Sequence, residues 1–180
     1  MFAETGYRAG KVSTVAARLG VSEPVIFQNF GSKAGLFAAV LERTTNELCD
    51  ELPAAAERFG SVSGLLTAML EPDHIERLHA PGSLGVLFAD AAALTTEPGI
   101  EDTAQHCLQR FACTLADLLR RGQDAGDIRA DLDPRAGAWW VMSMVSARTF
   151  RAAVMPDRAA LEAQLAAMTV ESLSAENKLS

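Results

Sequence analysis

Residues 11–30 constrain the fold more than any other stretch of the chain. Val12, Val15, Ala16 and Leu19 fall at i, i+3, i+4 and i+7, one apolar stripe of an α-helix. Gly20 follows at once and can close that helix with a positive φ. Val21 precedes the next cap and is positioned to pack inward as a staple. Ser22 offers its hydroxyl as N-cap to a second helix opening Glu23-Pro24, with proline in the first turn, where a missing N–H does no harm. Ile26 and Phe30, four apart, form the inward side of that helix, while Val25, Gln28 and Asn29 point elsewhere.

A helix, a glycine turn and a helix can be an ordinary hairpin of a bundle. They can also be a helix-turn-helix whose second helix enters the major groove of DNA. In that geometry Ser22, Glu23, Pro24, Val25 and Gln28 reach base edges; Gln28 can pair bidentately with adenine, and Val25 can meet a thymine methyl. Pattern alone leaves both readings open.

A residue-level likeness favours the second. Gly6-Tyr7, the run VSTVAARLGVS ending at Ser22, the run VIFQNF ending at Phe30, Ser32-Lys33 and Leu36-Phe37 follow in this order at short spacings. Over about the first 45 residues this resembles the DNA-binding domain of the tetracycline-repressor-like (TetR) family of bacterial transcription regulators. That family shows G-[YF], then an A-x-x-[AL]-G-V-S turn, a [LIV]-Y-x-x-F recognition helix, and a Ser-Lys pair opening a long helix.

The resemblance implies an all-α protein, with a homeodomain-like three-helix head over residues 1–45 and a helical ligand-binding and dimerisation body over 46–180. It implies a ligand-responsive regulator, most often a repressor, that binds a near-palindromic operator as a homodimer and is released by a small apolar effector. The residues it assigns to DNA are Lys11, Ser22, Glu23, Pro24, Val25, Phe27, Gln28, Asn29 and Lys33. Lys33, in the first turn of a helix capped by Ser32, would serve as a phosphate clamp.

Three departures qualify the likeness. The family has a full helix before Gly-Tyr, and here a single turn (Phe2, Ala3) is expected there. Phe27 stands where the family has a tyrosine and offers no hydroxyl to a phosphate. Gly10-Lys11 replaces the usual hydroxyl residue, exchanging a hydrogen bond for a charge. An alternative reading follows: a dimeric helical small-molecule-binding module whose DNA binding is impaired by the short first helix.

Composition agrees with a helical protein: Ala and Leu are abundant and β-branched alternation is scarce. The net charge of −7 opposes nucleic acid, but its distribution answers the objection. Residues 1–45 hold five basic and three acidic groups, and the remainder holds 11 basic and 20 acidic, so a mildly basic head joins an acidic body. Three widely spaced cysteines suggest neither a disulfide framework nor a zinc cluster, and His74 and His79 share no helical face, so no metal or cofactor is expected. The N-terminal residues lack the basic flank and apolar run of a signal peptide. The uncharged apolar stretch Ala136 to Ala147 is too short to span a bilayer. A cytoplasmic setting without a membrane partner is the expectation.

The helix opened by Ser32 is expected to end near Glu51, ahead of Pro53, with Gly35 weakening it slightly. Further helices are expected at about 54–59, 61–71, 74–79, 82–96, 100–125, 134–154 and 157–173. Gly60-Ser61, Asp133-Pro134 and Pro156-Asp157 supply stop and start signals, and the tail from Ser174 is expected to fray. Helices 100–125 and 134–154 carry more apolar surface than one seam requires, which suits a dimer or a plain core. Candidates for a ligand pocket are Leu66, Met69, Phe88, His106, Phe111, Trp139, Met142 and Ser143, although such residues at helical spacing are more often core. No phosphate loop, H-E-x-x-H or G-x-S-x-G motif is present, so an enzyme is not expected.

Overall fold

A computed structural model describes residues 1–175, and there the protein is built from α-helices, with one isolated bridge between Ile128 and Ser174. Among these residues the helices are α1 (Phe2–Ala9), α2 (Val12–Leu19), α3 (Glu23–Phe30), α4 (Lys33–Arg58), α5 (Val62–Leu70) and α6 (Pro72–His79). They continue as α7 (Leu84–Ala93), α8 (Glu101–Asp124), α9 (Pro134–Ser146), α10 (Arg148–Val154) and α11 (Ala159–Leu173). None is long and apolar enough to cross a membrane.

Packing divides the chain into two units. The first joins Met1–Leu48 to Arg77–Arg110; the second joins Cys49–Glu76 to the chain from Phe111 onward. In the first, Phe37 and Leu41 are fully buried with Val12, Ala16, Ile26, Leu87 and Ile100. In the second, Leu66, Leu70, Leu115, Leu119 and Leu173 form the fully buried centre.

The single turn expected before Gly6 is the first half of a helix that resumes and continues to Ala9. Gly6 interrupts it at φ 75°, ψ 170°, a conformation that excludes other residues sterically. The interruption frees the Tyr7 N–H, which donates to Asp90 Oδ2 at 2.5 Å. Phe2 is buried edge-on against Phe37 with ring centroids 5.2 Å apart, and Tyr7 lies 5.1 Å from the same ring. Burial raises the pKa of the Tyr7 hydroxyl, with the Glu97 charge adding to the effect.

The long helix α4 differs from expectation at its end: it runs through Pro53 to Arg58. The missing N–H and the clash with the preceding turn cost about 3 kcal/mol. Keeping the helix places Leu52 and Ala56 in the second core, and burying a leucine alone returns roughly 1.5–3 kcal/mol. The helix expected over 134–154 is two, divided at Ala147, where ψ falls to −10°. Arg151 Nη2 donates to the Met144 carbonyl at 3.0 Å, so a side chain takes up an acceptor left at the end of α9. The caps at Ser61 and Asp133 form as expected, accepting from Gly64 N–H and Arg135 N–H. Pro156-Asp157 starts nothing directly, because α11 opens later with Arg158 at the cap position. The tail is held at its start: Arg129 N–H donates to Leu173 O and Ala175 N–H to Asp127 O, each at 3.0 Å. Residues 176–180 of that tail lie outside the described residues.

Candidate nucleic-acid interface

The geometry of α2 and α3 follows from three buried residues and one glycine. Val12 and Ala16 of α2 and Ile26 of α3 enter the first core, which pins both helices by their inner sides. Gly20 adopts the left-handed conformation (φ 67°, ψ 26°), and its N–H returns to the carbonyls closing α2. The outer side of α3 is then left open: Glu23, Pro24, Val25, Phe27, Gln28 and Asn29 are all exposed.

Four expectations about this hairpin require correction. Leu19 is 65% exposed because it stands past Ala16, the last residue of α2 that the core covers. Val21 does not form an inward staple and remains 39% exposed. Phe30 stays at the rim, so Ile26 alone anchors α3. Ser22 stands at the N-cap position, but its hydroxyl makes no bond to α3. The reason is local: Pro24 has no N–H to give, and the Val25 N–H is taken by the backbone carbonyl of Ser22 at 3.1 Å. The hydroxyl of Ser22 is therefore left exposed on the outer side.

Asn29 is exposed, but its amide N–H₂ donates to the Val25 carbonyl at 2.7 Å, so its reach is restricted. Lys11 is the N-cap residue of α2, exposed and in extended conformation, beside first-turn N–H groups that no side chain caps. Lys33 is half-buried: its Nζ donates to the Arg8 carbonyl at 3.1 Å and lies 4.7 Å from the centroid of the Tyr7 ring. There it offsets the negative end of α1 and stacks on an aromatic face, so contact with a phosphate would require it to change partners. Ser32 caps α4 as expected, accepting from Gly35 N–H at 3.0 Å. Arg18 pairs with Glu4 at 2.8 Å, and its hydrogen bond holds the Glu4 carboxyl below its ordinary range.

The residues expected around a ligand are divided between the two units. Leu66 is fully buried, with Met69, Phe111 and Met142 packed on the core around it, in the second unit. Trp139 and Ser143 are exposed on α9 of that unit. Phe88 and the exposed His106 belong to the first unit. A cavity of about 230 Å³ lies elsewhere in the second unit, bounded by Pro72, Ile75 and Glu76 on one side and by Arg148, Arg158 and Glu162 on the other. Among the described residues no group of three His, Cys, Asp or Glu could hold a metal ion.

The tie between Asp90 and Tyr7 and the charged wall of the cavity were not legible in the sequence. Their partners are 70 or more positions apart, and no spacing rule connects residues at that separation; the break at Gly6 was the one local sign of the first.

Comparison with known proteins adds three findings. Residues 1–40 match the family described as bacterial regulatory proteins, tetR family. Over 48 residues the chain is 44% identical to the HTH-type transcriptional activator FasR of Mycolicibacterium smegmatis, a match spanning 27% of this chain and 22% of that relative. Two solved structures are similar along nearly the whole chain. NemR of E. coli in its reduced form superposes with a TM-score of 0.76 at 13% identity, over 98% of this chain and 92% of its own. A transcriptional regulator from Saccharomonospora viridis, solved with choline, gives a TM-score of 0.68 at 20% identity, over 96% and 91% of the two chains. At those identities the likeness is one of fold.

Proposed function

We propose that this chain, whose residues 1–40 match the tetR-family model and whose fold is like that of solved regulators, regulates transcription by binding a DNA operator under control of a small molecule. The observation that carries the reading is the outer side of α3. Ile26 fixes the helix from beneath, while Ser22 at its cap and Val25 and Gln28 along its length stand exposed. Residues of this kind read adenine by a bidentate amide and thymine by apolar contact. Lys11 at the start of α2 supplies a phosphate contact, and Glu23 can accept from a cytosine amine.

The finer reading follows from the physics of a small head. One head makes few phosphate contacts and binds weakly, so two copies would read a near-palindrome about one helical turn apart. The exposed Trp139, Trp140, Phe150 and Met168 on α9, α10 and α11 support a second copy as the cover for these faces. The division into a DNA-binding part over 1–45 and a ligand-binding and dimerisation part over 46–180 is functional, whereas packing groups 77–110 with the head. The relative solved with choline supports a response to small molecules, and the reading of the effector as small and largely apolar comes from the family likeness. The sign of regulation is read as repression from the family likeness. The relative named an activator matches only in the head, which governs where a regulator lands and not what it does to the polymerase.

The test is titration of a labelled duplex from upstream of the chain's own gene at two salt concentrations. Gln28→Ala is expected to cost about 1–3 kcal/mol on the specific site and to relax base preference. Lys11→Ala is expected to weaken all DNA alike and to reduce the salt slope by about 1. Weak binding of wild type that is equal on every sequence would overturn the reading.

A further inference from the structure

The cavity of the second unit is bounded by an unusual sharing of charge. Glu76 of α6 is about half exposed, yet two largely buried arginines converge on it: Arg158 Nη2 donates to Oε1 at 2.5 Å, and Arg148 donates to Oε2. Those hydrogen bonds, that of Arg148 foremost, hold the Glu76 carboxyl below its ordinary range. The buried carboxylate at the cavity is committed. Glu162 is buried and receives Nε and Nη2 of Arg151 in a two-pronged pair, both at 2.8 Å. Arg158 Nε lies 3.9 Å from Glu162 Oε1, within ion-pair range but too far for a hydrogen bond, and is buried with no hydrogen-bond partner.

We propose that this cavity binds a small organic carboxylate. The acid group of the ligand replaces Glu76 between Arg148 and Arg158, and its apolar part lies against Ile75, Pro72 and Pro156. Guanidinium forks match a planar carboxylate, and Glu76 already shows the fit. Glu76 is the carboxylate on the two arginines that can leave, since it keeps half its side chain in water, whereas Glu162 is buried. The arginines stay sheltered, where a replacing charge is held more strongly than at the surface. Charge selects a monoanion. A carboxylate brings one negative charge as that of Glu76 turns out into water, whereas a doubly charged phosphate would bring two beside Asp73 and Glu162. The effect of such a ligand on DNA binding rests on the function proposed above; occupancy of the cavity does not.

Isothermal titration of the full chain, without DNA, tests the site with hexanoate, hexanamide and inorganic phosphate. Wild type is expected to bind hexanoate in preference to both others. Glu76→Gln removes the internal competitor and is expected to bind hexanoate about tenfold more tightly. Arg148→Gln is expected to lose binding. A variant that merely fails to fold cannot gain affinity, so the glutamate variant protects the test from misfolding. Absence of hexanoate binding in both wild type and a folded Glu76→Gln overturns the proposal, as does equal binding of hexanamide or phosphate. Specific DNA binding without hexanoate binding would remove this site and leave the regulator reading intact. Hexanoate binding that leaves operator affinity unchanged would keep the site and remove its coupling to DNA.

Discussion

Gly35 illustrates how one residue changes meaning between chain and fold. By helix propensity alone, alanine there should gain about 1 kcal/mol. In the folded head a Cβ on Gly35 would stand 2.1 Å from the Phe30 carbonyl oxygen, and backbone cannot step aside as a flexible side chain can. The close approach arises because α3 ends two residues before Ser32 caps α4, so the last carbonyl of the reading helix leans on the first turn of the next. Gly35→Ala is therefore expected to destabilise the protein by about 1–3 kcal/mol instead of stabilising it, as read from the urea midpoint. A raised midpoint would mean that α3 and α4 are less tightly joined than their backbone contact implies.

At the scale of elements, α1 governs whether the head is dependable. Helices of this length are marginal by themselves, and their stability comes from docking. α1 docks by three devices: Phe2 buried on Phe37, the Tyr7 N–H on Asp90, and Lys33 on the Arg8 carbonyl. These contacts bear on the alternative reading as a binding module without DNA activity, whose basis is that a short first helix leaves a head unable to hold its shape. Phe2→Ala is expected to cost about 3–5 kcal/mol. Hydrogen exchange should show the loss concentrated in the amides of α2 and α3, with those of α9 unaffected. A wild-type head already unprotected at α2 and α3, and indifferent to Phe2→Ala, would restore the alternative.

At the scale of the molecule, apolar exposure is unevenly distributed. Trp139 and Trp140 are each 48% exposed and Phe150 is 69% exposed. Monomers rarely leave large apolar side chains uncovered in groups, so a second copy is the proposed cover. Trp139→Glu with Trp140→Glu is expected to convert a dimer to a monomer in sedimentation, and to weaken operator binding without altering the contacts of one head with DNA. A wild-type chain that sediments as a monomer at every concentration would remove the two-headed reading.

The sequence by itself determined the features that depend on neighbours within about one helical turn. The helix-turn-helix, the left-handed closure at Gly20 and the caps at Ser32, Ser61 and Asp133 are of this kind, because caps and periodicity are local physics. Even there, Ser22 misled, since its usual hydrogen-bond donors were removed by Pro24 and by its own carbonyl. Tertiary structure alone decided what depends on distant partners. Burial of Leu52 and Ala56 carries α4 through Pro53; Asp90 reaches Tyr7 across 83 positions; and Arg158 reaches Glu76 across 82. No spacing rule operates over such separations, and only packing brings those charges and carbonyls within reach of one another.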